Sequence, residues 1–424
     1  MKVLVIGGGA REHAIAWKLA ASPRVSKVFV APGNAGTALE DGVDNVPLDK
    51  IPLLLKFAQR EAISLTVVGP EAPLAQGIVD AFQAAGLRIF GPTRAAAQLE
   101  TSKQYAKSFM VRHGLPTGQH EVFTSAGGAH AHIRTRGAPI VIKADGLAAG
   151  KGVVVATDVD QAHEAVEQML VKGKLGEAGR RVVIEDFLEG EEASFIVMVG
   201  GKHVLPLATT QDHKRLLDGD HGPNTGGMGA YSPAQVVTPT VHARIMRDVI
   251  QPAVAGLERD GTPYLGFLYA GLMIARDGSV KVLEFNCRLG DPEAQPILMR
   301  LKTDLLPLLE HGVNGTLDKV EAEWDRRAAL GIVLAAEGYP EAPRTGDAIH
   351  GLPKAEEDFH VFHGGTALQK GEVVTSGGRI LTVTALGDSV RMAQRRAYQV
   401  ADQITFDGCQ MRRDIGHRAV RRPG

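Results

Sequence analysis

The stretch 139–156, PIVIKADGLAAGKGVVVA, sets glycines beside lysines in a pattern that suits phosphate oxygens. The β-type residues Ile140, Val141 and Ile142 lead in, and Val153, Val154 and Val155 lead out, so the loop is expected to cap a hairpin. Its glycines, Gly146, Gly150 and Gly152, allow a backbone to come close to a bulky ligand, and exposed N–H groups with Lys143 and Lys151 suit phosphate. One reading is a lid over the phosphates of ATP; the other is a mobile surface hairpin with two solvated lysines. It is not a P-loop. Aligned on Gly150-Lys151, the first glycine position holds Asp145, Gly152 stands where a hydroxyl is required, and a strand follows in place of a helix.

A second pair lies at Glu284 and Asn286, on a run (280–286, VKVLEFN) that reads as a strand. Period-2 alternation puts Val280, Val282, Glu284 and Asn286 on one face, with the last two side chains about 7 Å apart at the strand end. Two oxygen donors on a rigid strand suit Mg²⁺, which keeps its other positions for phosphate and water; the alternative is a strand-end carboxylate in a salt bridge. The Asp212-His213 and Asp220-His221 pairs raise a further metal reading, weakened by the lack of an i, i+4 histidine pair.

These groups need elements to position them. Lys2–Ile6, Val28–Ala31, Leu65–Val68 and Arg88–Phe90 read as strands alternating with helices, which predicts a doubly wound parallel sheet. Ligands of such sheets sit beyond the strand carboxyl ends, where three loops stand out: GGGAREH (7–13), APGNAGT (31–37) and GPEAPL (69–74). The first resembles G-x-G-x-x-G, but its last position is Glu12, and the strand from Val28 ends in Ala31-Pro32-Gly33 without the carboxylate a dinucleotide ribose needs. A nicotinamide site is therefore disfavoured against a small phosphorylated substrate at a helix N-terminus; glycines that serve only tight turns are the alternative for each loop. Further on, a helix over 102–113 carries Lys103 and Lys107, and a linker with Gly190 as its turn separates Glu185 from Glu192. The polar, glycine-rich segment 209–233 reads as one long irregular loop, ordered and functional or else disordered.

The predicted fold class is thus α/β and α+β multidomain: an N-terminal doubly wound parallel sheet, a two-subdomain core and a small C-terminal β-rich domain. Boundaries are placed at 1–102, 103–122 (a connecting helix region), 123–192 (lid), 193–325 (core with the metal site) and 326–424. At 424 residues the chain exceeds one hydrophobic core. A formal net charge of −1 offers no electrostatic case for nucleic acid or membrane, and no apolar run reaches a spanning length. Two cysteines, Cys287 and Cys409, have no metal-ligand spacing, and a reducing cytoplasm is the expected setting. The opening MKVLVIGGG reads as a first strand, not a signal segment.

The ordered set GGGAREH, APGNAGT, GPEAPL, IKADGLAAGKGV, EDFLEGEEASF, QDHKR, GPNTGGMGAYSP and EFNCRLGDPE resembles the phosphoribosylamine–glycine ligases, glycinamide ribonucleotide synthetases of the ATP-grasp superfamily. The resemblance covers roughly residues 1–300. It implies ATP as co-substrate, with Mg²⁺ or Mn²⁺, held between two α+β subdomains. Glycine and 5-phosphoribosylamine are the implied partners, joined through a glycyl phosphate, in a monomer or weak dimer. By the same resemblance, Lys103 and Lys143 reach the nucleotide phosphates, Gly146–Gly152 is the lid loop, and Glu185, Phe187 and Leu188 take the adenine. Glu192 holds the ribose, and Glu284 with Asn286 the metal. Phosphoribosylamine falls to Gly9, Arg11 and Glu12, to Gly33, Asn34, Ala35, Gly36 and Thr37, and to Glu71 and Pro73. Asp212, the run Gly226, Gly227, Met228 and Gly229, and Arg288, Gly290 and Asp291 are where glycine and the reacting phosphate are placed, with Lys143, Arg288 and Asp212 as the catalytic set. Two departures stand out. Tyr269–Arg276 holds no third metal carboxylate, and Gly8 stands where relatives often carry Asn or Ser.

Overall fold

The computed structural model describes residues 1–148 and 152–420. Its N-terminal part is a five-stranded parallel sheet in the order Val43–Asn45, Lys27–Pro32, Lys2–Gly7, Leu65–Val68, Ile89–Phe90. The central strands are apolar throughout because helices cover both faces; Val3, Leu4 and Val5 are fully buried. The short edge strand Val43–Asn45 carries no marked sequence signal, and the helical stretch before Ile89–Phe90 is two helices, Glu71–Ala75 and Ile78–Ala84. Gly77, with φ of 85°, makes the break, a conformation that side chains with a Cβ resist. Strand order reverses between Lys2–Gly7 and Leu65–Val68, so a crevice opens beyond their carboxyl ends.

Two antiparallel four-stranded sheets follow. The lid sheet runs His120–Phe123, Val182–Asp186, Ile140–Ala144, Val153–Ala156, and Ile140–Ala144 pairs with Val153–Ala156 as the expected hairpin. Helices Ala126–Arg136 and Val159–Val166 close its outer face through Ala129, Ile133, Ala162 and Val166, packed on Ile142 and Ile184. The core sheet runs His203–Pro206, Glu191–Gly200, Leu265–Ile274, Val280–Asn286. Its inner face shares one apolar cluster with the N-terminal sheet's outer layer, which fixes the two units together.

The segment 209–233 is not one irregular loop. It holds Gln211–Asp212, a hairpin of Arg215–Leu217 with His221–Asn224, and Gly229–Ser232. Gly229–Ser232 pairs with Ala328–Ala335, so the C-terminal sheet runs Gln211–Asp212, Gly229–Ser232, Ala328–Ala335, Arg379–Gly387, Phe359–His363. Strands of two to four residues carry too little alternation to be read in sequence, and Ala328–Ala335, which takes Gly229–Ser232 into the C-terminal sheet, lies about a hundred residues on. The boundary at 326 therefore marks a change of composition, while hydrogen bonding crosses it.

Candidate functional site

A cleft of ≈ 1110 Å³ opens between the N-terminal sheet, the lid sheet and the core sheet. Its lid side is built on Ile140–Ala144 and Val182–Asp186, whose register sets Glu185 opposite Val141 and Lys143 opposite Val183. Glu185 is buried between two ammonium groups, Lys107 at 2.9 Å and Lys143 at 3.0 Å. Burial favours its neutral form, but Lys143 and Lys107 outweigh this and hold the carboxyl below its ordinary range. Burial, with Lys143 nearby, pushes Lys107 down to about 8. Lys143 Nζ also donates to the Leu283 carbonyl at 3.2 Å, which ties the lid sheet to the core sheet.

Lys103 opens the helix Lys103–Arg112, capped by Ser102, whose hydroxyl accepts from the Tyr105 N–H. Asp145 accepts from Ser102 Oγ at 3.1 Å and from the Gln104 N–H at 2.8 Å, and Lys103 Nζ donates to the Gly146 carbonyl at 3.3 Å. The root of the loop read as a lid, at Asp145 and Gly146, is thus fastened to this helix start. Gly152, Phe187 and Leu188 line the cleft. Gly150 and Lys151 lie outside the described residues.

On the core side Glu192, Glu284 and Asn286 all face the cleft. Lys214 Nζ pairs with Glu192 and stands 3.4 Å from Glu284 Oε1. Burial acts to raise the Glu284 carboxyl, yet Lys214, Lys143 and Lys103 together hold it down at about 2. The alternation expected along 280–286 is broken by a β-bulge at Leu283. Val280, Val282 and Phe285 all enter the core cluster, so Glu284 and Asn286 do not share a face with Val280 and Val282. The bulge re-aims the strand end, as bulges beside active sites do. Where the preceding strand lacks a carboxylate, Tyr269 Oη meets Ser194 Oγ at 2.8 Å and Glu293 Oε1 at 3.1 Å.

The far end of the cleft lies at the crevice of the parallel sheet, lined by Gly8, Gly9, Arg11, Glu12 and Glu71. Glu12 accepts from the Gly9 N–H at 2.7 Å and pairs with Arg11 at 2.5 Å. Arg288 bridges Glu71 at 3.2 Å and Glu100 at 2.8 Å. Burial works to raise Glu71, but Arg288 and Arg11 hold it below its ordinary value; Glu100 is raised by burial against the pull of Arg288. Asp212 and Asp291 line the same cleft. Burial and the neighbouring Glu293 push Asp212 well up, whereas Arg379 and Arg11 keep Asp291 low against its burial.

Other expected residues stand behind this lining. Asn34 accepts from the Thr37 N–H at 3.0 Å and donates to the Gly8 carbonyl at 3.0 Å, so Gly33, Asn34, Ala35, Gly36 and Thr37 support the first loop from the rear. A Cβ on Gly8 would lie 2.7 Å from the Gly33 carbonyl oxygen, so the two loops approach more closely here than the Asn or Ser implied by the resemblance would allow. Pro73, Gly227, Met228, Gly229 and Gly290 also stand back, while Gly226 lines the cleft. The second metal reading fails: His213 is fully buried, its Nδ1 faces the Gly229 carbonyl and its Nε2 accepts from the Gly416 N–H, while Asp220 pairs with Arg412 and Arg418. Lys214, Glu293 and Tyr269 were missed. Lys214 lies two residues beyond Asp212, the spacing that shares a strand face, and that was the available signal.

Residues 1–100, 101–294 and 329–418 match the N domain, the ATP-grasp (A) domain and the C domain of phosphoribosylglycinamide synthetase. The chain is 63% identical over 422 residues to a phosphoribosylamine–glycine ligase of Ralstonia nicotianae, covering 100% of both chains. It is 60% identical over 426 residues to that of Escherichia coli O157:H7, covering 100% of this chain and 99% of the relative. The crystal structure of the Thermotoga maritima phosphoribosylamine–glycine ligase superposes with a TM-score of 0.85 at 35% identity, covering 98% of this chain and 100% of that one. A Campylobacter jejuni biotin carboxylase solved with β-γ-ATP superposes at TM-score 0.75 and 14% identity, over 97% of this chain and 92% of that one, a likeness of fold alone. With its three domain segments matched in order and its relatives aligned end to end, the chain belongs to the phosphoribosylamine–glycine ligase family.

Proposed function

We propose that this chain joins glycine to 5-phosphoribosylamine with cleavage of ATP to ADP and phosphate, forming glycinamide ribonucleotide for purine biosynthesis. One observation carries the reading: a single cleft runs from the parallel-sheet crevice at Gly9 and Glu71, past Arg288, to Lys143, Glu185 and Glu284. A phosphosugar end and a nucleotide end thus share one volume.

In this reading a glycine carboxylate oxygen attacks the γ-phosphorus of ATP, the bond to the β-phosphate oxygen breaks, and glycyl phosphate and ADP result. The amine of phosphoribosylamine then attacks the carbonyl carbon, loses a proton, and phosphate leaves. The protein supplies position and charge rather than a nucleophile. Lys103 and Lys143 hold phosphate oxygens, Glu185 with the backbone near Phe187 and Leu188 takes the adenine, and Glu192 the ribose. Gly9, Arg11 and Glu71 receive the phosphosugar; Arg288 faces the reacting phosphate and Asp212 the glycine. The lid loop shields the acyl phosphate from water.

Glu284 and Asn286 fit a divalent cation: the carboxylate is held ionised and the amide adds a second hard oxygen donor. Magnesium, or manganese in its place, would draw charge off the phosphates there. The unpaired cysteines Cys287 and Cys409 support a reducing cytoplasm, and among the described residues no helix is long and apolar enough to cross a membrane. A monomer is the proposed active unit. The test is ADP release with ATP and Mg²⁺, omitting each substrate in turn. Full turnover is expected only with glycine and phosphoribosylamine together; turnover indifferent to the amine overturns the reading.

A further inference from the structure

Behind the phosphosugar end, on the seam between the parallel sheet and the C-terminal sheet, three side chains converge outside the cleft. His13 belongs to the helix Ala10–Ala20, which opens with the cleft residues Arg11 and Glu12. Glu40 ends the short helix Ala35–Leu39 of the second loop, and His360 lies on the strand Phe359–His363. Glu40 Oε2 is 3.0 Å from His13 Nε2 and 3.2 Å from His360 Nε2. The three ligand atoms lie within 4.8 Å of one another, a spacing that also suits a metal ion.

Hydrogen-bond direction decides between the two. His13 Nδ1 accepts the His363 N–H at 2.8 Å, so the proton of the neutral ring sits on Nε2 and is donated to Glu40. A cation on Nε2 would need that proton moved to Nδ1, against the His363 N–H. The same strand residue reaches the second loop: its carbonyl accepts from Asn34 Nδ2 at 2.6 Å, and Asn34 Nδ2 also donates to the Gly8 carbonyl at 3.0 Å. His360 is held in place by stacking on Phe362, with centroids 4.3 Å apart, and by Trp17 at 5.4 Å. Its Nδ1 is buried and unpartnered, which leaves Glu40 as the polar anchor of that ring.

We propose that Glu40, shared by His13 and His360, is a positioning residue through which the C-terminal sheet fixes the first and second loops and so sets the phosphoribosylamine end of the cleft. This rests on the reading that the first loop, which the second supports from behind, receives the phosphosugar. His13 donates to Glu40 Oε2 and His360 Nε2 stands 3.2 Å from the same oxygen across the seam, so loss of the carboxylate frees both loops together.

The test is steady-state kinetics of Glu40→Ala, Glu40→Gln and His360→Phe, with thermal melts and the zinc content of each purified protein. Removing a hydrogen-bonded charge should raise the phosphoribosylamine KM about tenfold or more in Glu40→Ala, with kcat and the ATP and glycine KM values within about twofold. Glu40→Gln, which keeps one acceptor, should recover part of the loss, and His360→Phe, which keeps the stacking, should reproduce part of it. If Glu40→Ala fails to fold, His360→Phe carries the same test. All three KM values unchanged in a folded variant overturns the latch and leaves the ligase reading standing. A rise confined to ATP or glycine overturns the assignment of these loops to the amine, and the proposal with it. Stoichiometric zinc in the wild type, lost in Glu40→Ala, overturns the latch in favour of a metal centre.

Discussion

Lys214 Nζ stands 3.4 Å from Glu284 Oε1 and at the same time pairs with Glu192, so one ammonium neutralises two carboxylates from neighbouring parts of the core sheet. Burial would strip the proton from Lys214, but Glu192 and Glu284 more than compensate and drive its acidity well below that of a free lysine. The group is a permanent cation between the residues read as ribose holder and metal ligand. Lys214→Met should leave Glu192 and Glu284 without the cation between them, with only Lys143 and Lys103 left to balance Glu284. The ATP KM is expected to rise about tenfold or more, since a unit charge at this range is worth over 1 kcal/mol in a partly buried site. Kinetics over a range of ATP at fixed Mg²⁺ reads this; an unchanged ATP response refutes the role.

Glu284→Ala and Asn286→Ala should fold as the parent does, because both side chains face the cleft while Val280, Val282 and Phe285 hold the strand to the core. Loss of a ligand for the divalent cation is expected to cut kcat/KM by about a hundredfold or more in Glu284→Ala, by the scale typical of a removed electrostatic group. Titration of activity with Mg²⁺, alongside thermal melts, checks this. Full activity of Glu284→Ala at the parent's Mg²⁺ requirement contradicts the metal assignment.

Lys143→Met tests the lid. The ammonium is read as a phosphate ligand, and it also balances the buried Glu185 and bonds the Leu283 carbonyl. The ATP KM is expected to rise steeply. Stability should fall too, by about 3 kcal/mol, the scale for breaking one side of a buried ion pair, softened here because Lys107 remains 2.9 Å from Glu185. Denaturant melts separate the two effects. A variant that loses stability but keeps its ATP response shows a purely structural lysine.

His213 gives a pH prediction. Burial, with Arg418 and Arg412 nearby, lowers it to about 3, and its neutral ring accepts the Gly416 N–H and so anchors the C-terminal tail. An unfolded chain binds this proton below its ordinary value near 6.5, while the folded chain does not. Stability therefore falls as pH drops through the window from about 6.5 to 3, and this group alone accounts for about 2 kcal/mol between pH 7 and pH 5. The Tm difference between those pH values should be larger in the parent than in His213→Gln. Equal differences contradict the assignment.

Much of this molecule is legible in its sequence where pattern is strong. The hairpin of Ile140–Ala144 with Val153–Ala156 falls where its β-type runs and intervening glycines put it, and the buried parallel strands announce themselves by continuous apolar runs. The ordered motifs were enough to name the family. What stayed hidden depends on partners distant in the chain. Gln211–Asp212 is a strand only because Gly229–Ser232 lies beside it, and that strand in turn rests on Ala328–Ala335. The bulge at Leu283 follows from pairing with Gly271, and no local signal marks it. Lys214 becomes meaningful only once the fold sets Glu192 and Glu284 on either side of it, and the shared carboxylate of Glu40 needs a strand from the other end of the chain.

The central claim is that one cleft carries a glycine carboxylate to the γ-phosphate of ATP and then to the amine. Turnover with glycine labelled with ¹⁸O in its carboxylate tests it most directly, by mass analysis of the phosphate released. The account predicts one labelled oxygen in each phosphate, because the acyl phosphate's bridging oxygen comes from glycine and leaves with phosphorus. Phosphate released without label, at full amide formation, contradicts it.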